Sequence, residues 1–93
     1  MKYSEMKEYV ASISDCDLSR KDMIESHEGV VRRCGGELES ANEDCQQAIF
    51  SRAPRKEKSE KFNYASRCLV EYLEAFDKLT AIKLFYRLEE KNQ

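Results

Sequence analysis

The C-terminal third of the chain contains neither glycine nor proline, and this constrains the fold more than any other feature of its 93 residues. From Phe62 onward, apolar residues recur at alternating steps of three and four, which is typical of an amphipathic helix. A single helix over residues 62–88 is roughly 40 Å long at about 1.5 Å per residue. The rest of so short a chain must be organised around this helix.

This long helix carries two apolar stripes, and the first lies in its N-terminal part. Charged residues such as Glu71 and Lys78 fall on the opposite side, where water solvates them. We therefore expect the first stripe to face the internal core. Its members are Phe62, Ala65, Leu69, Tyr72, Phe76 and Leu79, with Cys68 and Leu73 widening it.

The second stripe begins where the first one meets charged residues beyond Leu79. It lies more than a third of a turn away from the first stripe, so one neighbour cannot cover both. A contiguous exposed apolar patch usually marks an interaction site, and we predict that this stripe binds a partner protein. The alternative is that a short N-terminal helix covers it. The predicted partner-binding residues are Ala81, Leu84, Phe85 and Leu88 as apolar anchors, with Lys83 and Arg87 giving charge selectivity at the rim.

A regular heptad pattern precedes the long helix, between about residues 18 and 50. Steps of three and four alternate throughout, as in the seam of a coiled coil or an antiparallel hairpin. The seam residues are small, so we expect them to pack against the large residues of the first stripe. They are Ile24, His27, Val31, Cys34, Leu38, Ala41, Cys45 and Ala48.

The predicted fold class is all-α: an antiparallel, coiled-coil-like hairpin of residues 19–50 against 57–90, with a short helix over 2–14 packed on it. Hydrophobic residues make up 41% and charged residues 37% of this single domain, and there is one proline, which favours a helical bundle over a sheet. A homodimeric coiled coil fits the heptads equally well.

Three local features bear on the helix boundaries. Asp17 or Ser19 is available to cap the second helix. The pair Gly35-Gly36 lies inside the heptad pattern, and because the pattern keeps its register through it we favour a continuous or kinked helix over a break that would make four helices. The connector contains Pro54, and either Ser51 or Ser59 is placed to cap the helix that follows.

Charge is unevenly distributed between the two halves of the chain. Residues 1–51 contain six Lys/Arg and eleven Asp/Glu, a net charge of −5, whereas residues 52–93 contain ten and seven, a net charge of +3. An antiparallel fold brings the two halves together, which favours one alignment of the helices. The alternative is that each charge set simply solvates its own face.

The residues able to do chemistry form no recognisable catalytic or cofactor motif. The four cysteines form no CxxC pair, and we expect Cys16, Cys34, Cys45 and Cys68 to act as reduced, small hydrophobic residues. His27 is the only histidine, and it occupies a seam position that favours a structural role.

These patterns indicate a non-enzymatic protein that binds a protein partner: a small subunit, adaptor, chaperone or inhibitor, with no cofactor and no small-molecule substrate. No apolar signal region or membrane-length run is present, so we expect a cytoplasmic protein. One alternative is a nucleic-acid-binding module that uses the basic segment 52–61. Another is a disulfide-stapled hairpin from an oxidising compartment.

Overall fold

The computed structural model describes residues 2–14 and 17–91, which form three α-helices. Helix α1 spans Tyr3–Ile13, α2 spans Arg20–Phe50 and α3 spans Arg55–Lys91. The two long helices form an antiparallel hairpin, and α1 packs on α3. The predicted all-α hairpin with a short N-terminal helix is therefore confirmed, and the helix bounds agree to within two residues.

Helix α2 runs without interruption through its two central glycines, as the unbroken heptad register predicts. Of the two predicted caps, Asp17 and Ser19, the second is the one used, because the Ser19 hydroxyl accepts a hydrogen bond of 3.1 Å from the Asp22 amide. A Cβ atom added to Gly35 would lie 3.3 Å from Cε2 of the Tyr72 ring, whereas one on Gly36 would meet nothing within 4 Å. Gly35 thus marks a close crossing of the long helices.

The turn between the long helices is short because α2 ends in a Schellman motif. The Ala53 amide donates to the Ala48 carbonyl at 3.0 Å, and the Arg52 amide donates to Ile49 at 3.2 Å. Arg52 adopts a left-handed φ of 55°, at the position where glycine is usual.

The cap proposed for α3 was wrong in both of its forms. Ser51 is the C-cap of α2, and Ser59 lies inside α3, which begins at Arg55. The Pro54 carbonyl accepts the first helical hydrogen bond of α3, from Lys58 at 3.1 Å. Proline suits this position because its fixed φ is compatible with a helix start and its missing N–H is not needed there.

Two hydrophobic clusters lie at opposite ends of the hairpin. The terminal cluster contains α1 and has large buried side chains: Met6, Val10, Met23, Ile82 and Phe85. The loop-end cluster lies near the turn and contains small ones, Ala41, Ala65 and Cys68, with Leu38 and Cys45 packed against it. The molecule is elongated: its radius of gyration is 17.9 Å, against about 12 Å for a compact domain of this length.

The face of α3 that meets α2 differs from the predicted one. The buried side chains are Ala65, Cys68, Ala75, Leu79 and Ile82, whereas Phe62, Leu69 and Phe76 of the predicted core stripe are exposed. The predicted core stripe and the observed buried face share Ala65, Cys68 and Leu79, so spacing alone does not choose between them. The face with the small residues Ala65, Cys68 and Ala75 packs against α2, because two helices approach more closely when the side chains between them are small. At the loop end small residues thus pack against small ones instead of against large ones as predicted, whereas the large buried residues of α3, such as Leu79 and Ile82, lie farther along the helix.

Ion pairs between α2 and α3 lie near the open end of the hairpin. Glu28 pairs with Lys83 at 3.4 Å, an acid of the first half with a base of the second. Arg20 pairs with Glu89, which reverses that polarity. The alignment of the helices is therefore not explained by a simple attraction between an acidic and a basic half, and exposed pairs of this kind are weak in any case.

Candidate functional site

Two of the six predicted partner-binding residues belong to the terminal cluster, and one of them contacts α1. Phe85 is only 6% exposed, and its ring stacks on Tyr3 with 5.8 Å between ring centroids. Leu88 is partly buried against the same terminal cluster. The alternative in which the N-terminal helix covers this stripe is therefore correct for Phe85.

The other four predicted residues remain at or near the surface. Leu84 is 43% exposed, and it lines a shallow depression with Lys83 and Arg87. Ala81 is partly buried and lines a separate depression between α3 and α1. The six residues are thus divided between a core and a surface, and partner binding through the exposed ones stays a prediction.

A different apolar face of α3 is open along the middle of the helix. Phe62, Leu69, Leu73 and Phe76 are 66%, 45%, 50% and 48% exposed. Their spacings of seven, four and three residues place them on one side of the helix. We call these four residues the outer stripe. The heptad-like spacing predicts these residues in the core, and their exposure shows that this prediction is wrong.

Phe62 and Leu69 of the outer stripe line a groove between α2 and α3, and the other two residues follow them along α3. One depression near the turn is lined by Cys45, Ile49 and Phe62, and a second joins them to Leu38 and Leu69. Ile49 is 64% exposed, so the α2 edge of the groove also presents a large apolar side chain. The loop-end groove, as we name it, therefore has apolar walls on both helices.

The depressions along this side of the hairpin contain more cations than anions, although Glu28 pairs with Lys83 and Asp77 lines a neighbouring depression with Leu84. Arg55 and Lys58 line the depression next to the turn, and Lys83 and Arg87 line the one beyond Phe76. The polar residues between them, Asn42, Gln46 and Ser66, are neutral. The opposite side of the hairpin has charges of both signs: Arg33, Glu71, Glu74 and Lys78 line its depression with His27. One side is thus mainly apolar, with cations at both ends and carboxylates near only one of them, whereas acids and bases alternate on the other side.

The histidine and cysteine side chains, which could in principle take part in catalysis or metal binding, have structural roles here. Nδ1 of His27 lies 2.9 Å from the Met23 carbonyl, one turn earlier in α2, as expected for a structural histidine. Cys34, Cys45 and Cys68 carry free thiols, and Cys16 lies outside the described residues. A hydrogen bond with the Cys68 side chain, and then repulsion by the negative charge of the Cys68 thiolate, raise the pKa of the Tyr64 phenol. No group of His, Cys, Asp and Glu in residues 2–14 and 17–91 is arranged to hold a metal ion.

The basic segment 52–61 forms the turn and the first two turns of α3. Lys61 pairs with Glu57 at 3.7 Å, which removes one cation from the set available to phosphates. Nucleic-acid binding by this segment stays a prediction. None of the helices has a stretch of described residues that is both long and apolar enough to cross a bilayer.

The outer stripe was missed because its residues were counted as core, yet the sequence does contain a signal for it. Between Cys68 and Phe76, apolar residues occur on more sides of α3 than one neighbouring helix can cover. Such a helix needs a second neighbour. The residues concerned are Cys68, Leu69, Val70, Tyr72, Leu73, Ala75 and Phe76.

Comparisons of the chain with models of protein families, with curated proteins and with solved structures find no match.

Proposed function

We propose that this protein is a non-enzymatic interaction protein that holds one helix of another protein in the loop-end groove. The observation that carries the proposal is the outer stripe. Four large apolar side chains, Phe62, Leu69, Leu73 and Phe76, stand about half exposed or more on one side of a regular helix. A contiguous apolar patch of this kind marks interaction sites more often than ordinary surface.

The shape of the groove favours a helix as its occupant. Its walls are two long antiparallel helices, with Leu38 and Ile49 on one side and Phe62 and Leu69 on the other. An amphipathic helix laid along such a groove inserts side chains from one of its faces between the walls. The complex would be a three-helix bundle at the loop end.

The energy available from the outer stripe sets the scale of the interaction. Full burial of a Leu or Phe side chain contributes about 1.5–3 kcal/mol, so completing the burial of four half-exposed ones contributes on the order of 4 kcal/mol. Association has an entropic cost of at least that size. Further contacts, from Ile49 and from the charged ends, are therefore required for stable binding.

A reducing compartment such as the cytoplasm suits this proposal, because Cys34, Cys45 and Cys68 are free thiols. A stapled hairpin from an oxidising compartment is the competing view, and counting free thiols in the native protein distinguishes the two.

Site-specific photo-cross-linking, done in the cells that naturally produce this protein, tests whether another protein binds at the outer stripe. Benzoylphenylalanine is placed at Leu73 in one variant and at Glu74, which lines the opposite side of the hairpin, in a control. We expect a discrete protein adduct from position 73 only, and its loss when Leu69→Asp is added. Equal adducts from both positions, or none from position 73, would contradict the proposal.

A further inference from the structure

We infer that the occupant of the loop-end groove is an amphipathic helix with an apolar middle and acidic residues at both ends. This inference rests on the proposed function and adds the chemistry of the partner. The observation behind it is the placement of four cations at the two ends of the outer stripe, in a chain whose net charge is −2.

The distances define the length of the partner helix. Phe62 and Phe76 are fourteen residues apart in α3, which corresponds to about 21 Å of apolar surface. Lys58 and Arg87 are twenty-nine residues apart, or about 43 Å. The partner helix therefore needs about four turns with an apolar face, followed at each end by a turn or two with carboxylates.

The cations at the ends are available to a partner. Within the part of the chain that the structure describes, Arg55, Lys58 and Arg87 form no ion pair, whereas Lys83 pairs with Glu28. No carboxylate lines the depressions that contain Arg55, Lys58, Lys83 and Arg87. An opposing carboxylate thus meets an unmatched positive charge at each end.

The same charges oppose a second copy of this chain as the occupant. If two outer stripes pair antiparallel with Leu69 opposite Leu73, helical spacing sets Arg55 of one copy opposite Arg87 of the other. Parallel pairing places each cation beside its own equivalent. Like charges at a contact oppose association, so either form of self-pairing has repulsion at both ends.

Binding of designed helices tests the charge requirement. Two fluorescein-labelled helical peptides of about 28 residues (about 42 Å) share one leucine-rich apolar face and carry glutamates or lysines at both ends. Fluorescence anisotropy gives their affinities at low and high salt. We expect the glutamate-ended peptide to bind about 10-fold more tightly at low salt, with a smaller ratio at high salt because screening weakens exposed charge pairs.

A charge-reversed protein is the matched control. The double variant Lys58→Glu/Arg87→Glu changes two side chains that form no ion pair among the described residues, so circular dichroism should remain that of the wild type. We expect it to prefer the lysine-ended peptide. A preference unchanged by the reversal would show that the end cations do not select the partner.

The remaining outcomes separate this inference from the proposed function. Equal binding of both peptides, lost in Leu73→Asp, would overturn the acidic ends and leave the groove as a helix site. No binding of either peptide would overturn the proposed function itself. A concentration-dependent dimer that Leu73→Asp abolishes would make a second copy the occupant and overturn the inference. Tighter binding of a 20-nucleotide single-stranded DNA, unaffected by Leu73→Asp, would assign the cations to phosphates and also overturn it.

Discussion

The two ends of the hairpin use the same pair of helices but bury their apolar residues differently. At the terminal end α1 adds a third helix, and Met6, Val10, Ile82 and Phe85 are buried. At the loop end only α2 and α3 are present, and the buried residues are small. Two large apolar side chains at the loop end, Phe62 and Ile49, are exposed to solvent.

This difference shows what a third helix does for a long hairpin. Two helices in contact bury one narrow seam on each, and residues a third of a turn away stay exposed. Helix α3 has more apolar residues than one seam needs along most of its length. Helix α1 covers the surplus around Phe85, and nothing within the described chain covers it around Leu73. The loop end therefore lacks the layer that the terminal end has, and the proposed partner helix supplies that layer.

The largest expected effect comes from placing a carboxylate in each apolar region of α3. Phe85→Asp should unfold the protein or lower its free energy of unfolding by more than about 4 kcal/mol, because it removes a buried ring and buries a charge. Leu73→Asp should lower the free energy of unfolding by only about 1–2 kcal/mol, since half of that side chain is already exposed and aspartate is the poorer helix former. Urea unfolding followed by circular dichroism measures both. A Phe85→Asp variant as stable as the wild type would show that Phe85 is not buried and that the two ends of α3 do not differ in this respect.

A milder pair of substitutions tests the same contrast without introducing charge. Ile82 is fully buried, and Ile82→Ala should lower the free energy of unfolding by about 2–5 kcal/mol through lost burial and the cavity left behind. Leu69→Ala should lower it by less than about 1 kcal/mol, because that side chain is nearly half exposed already. Equal losses in the two variants would mean that the outer stripe is buried in solution.

The smallest effects concern how closely α2 and α3 approach between the two ends. Gly36→Ala should raise the free energy of unfolding by about 1 kcal/mol, since alanine is the better helix former and its Cβ meets open space. Gly35→Ala should gain less or lose stability, because its Cβ meets the Tyr72 ring at 3.3 Å. Thermal unfolding of the two variants is the measurement. A larger gain in stability for Gly35→Ala than for Gly36→Ala would show that α2 and α3 do not approach closely at Gly35.

The sequence predicts the helices and their order better than it predicts the face that each helix buries. Heptad spacing is a local property, and it correctly indicates α2, its seam through Cys34 and Ala41, and its continuity past Gly35. The buried face of α3 depends instead on how closely α2 approaches and on where α1 lies. Both are long-range properties. The predicted core stripe and the buried face of α3 share Ala65, Cys68 and Leu79, so spacing within the helix does not distinguish them.

The candidate site is likewise predicted in part. The apolar surplus of α3 and the cations Lys83 and Arg87 are visible in the sequence, and these cations do lie on the surface. The placement of Phe85 in the core follows from its contact with Tyr3, some eighty residues earlier in the chain. Spacing within one helix contains no information about such a contact.

Hydroxyl-radical footprinting of the free protein, read by mass spectrometry, measures whether the outer stripe is exposed while Phe85 is buried. It compares two phenylalanines of the same helix, Phe76 on the outer stripe and Phe85 under α1, so intrinsic reactivity cancels. We expect Phe76, which is 48% exposed, to oxidise several times faster than Phe85, which is 6% exposed. Equal rates, or a faster rate at Phe85, would contradict it and return the partner surface to the C-terminal end of α3.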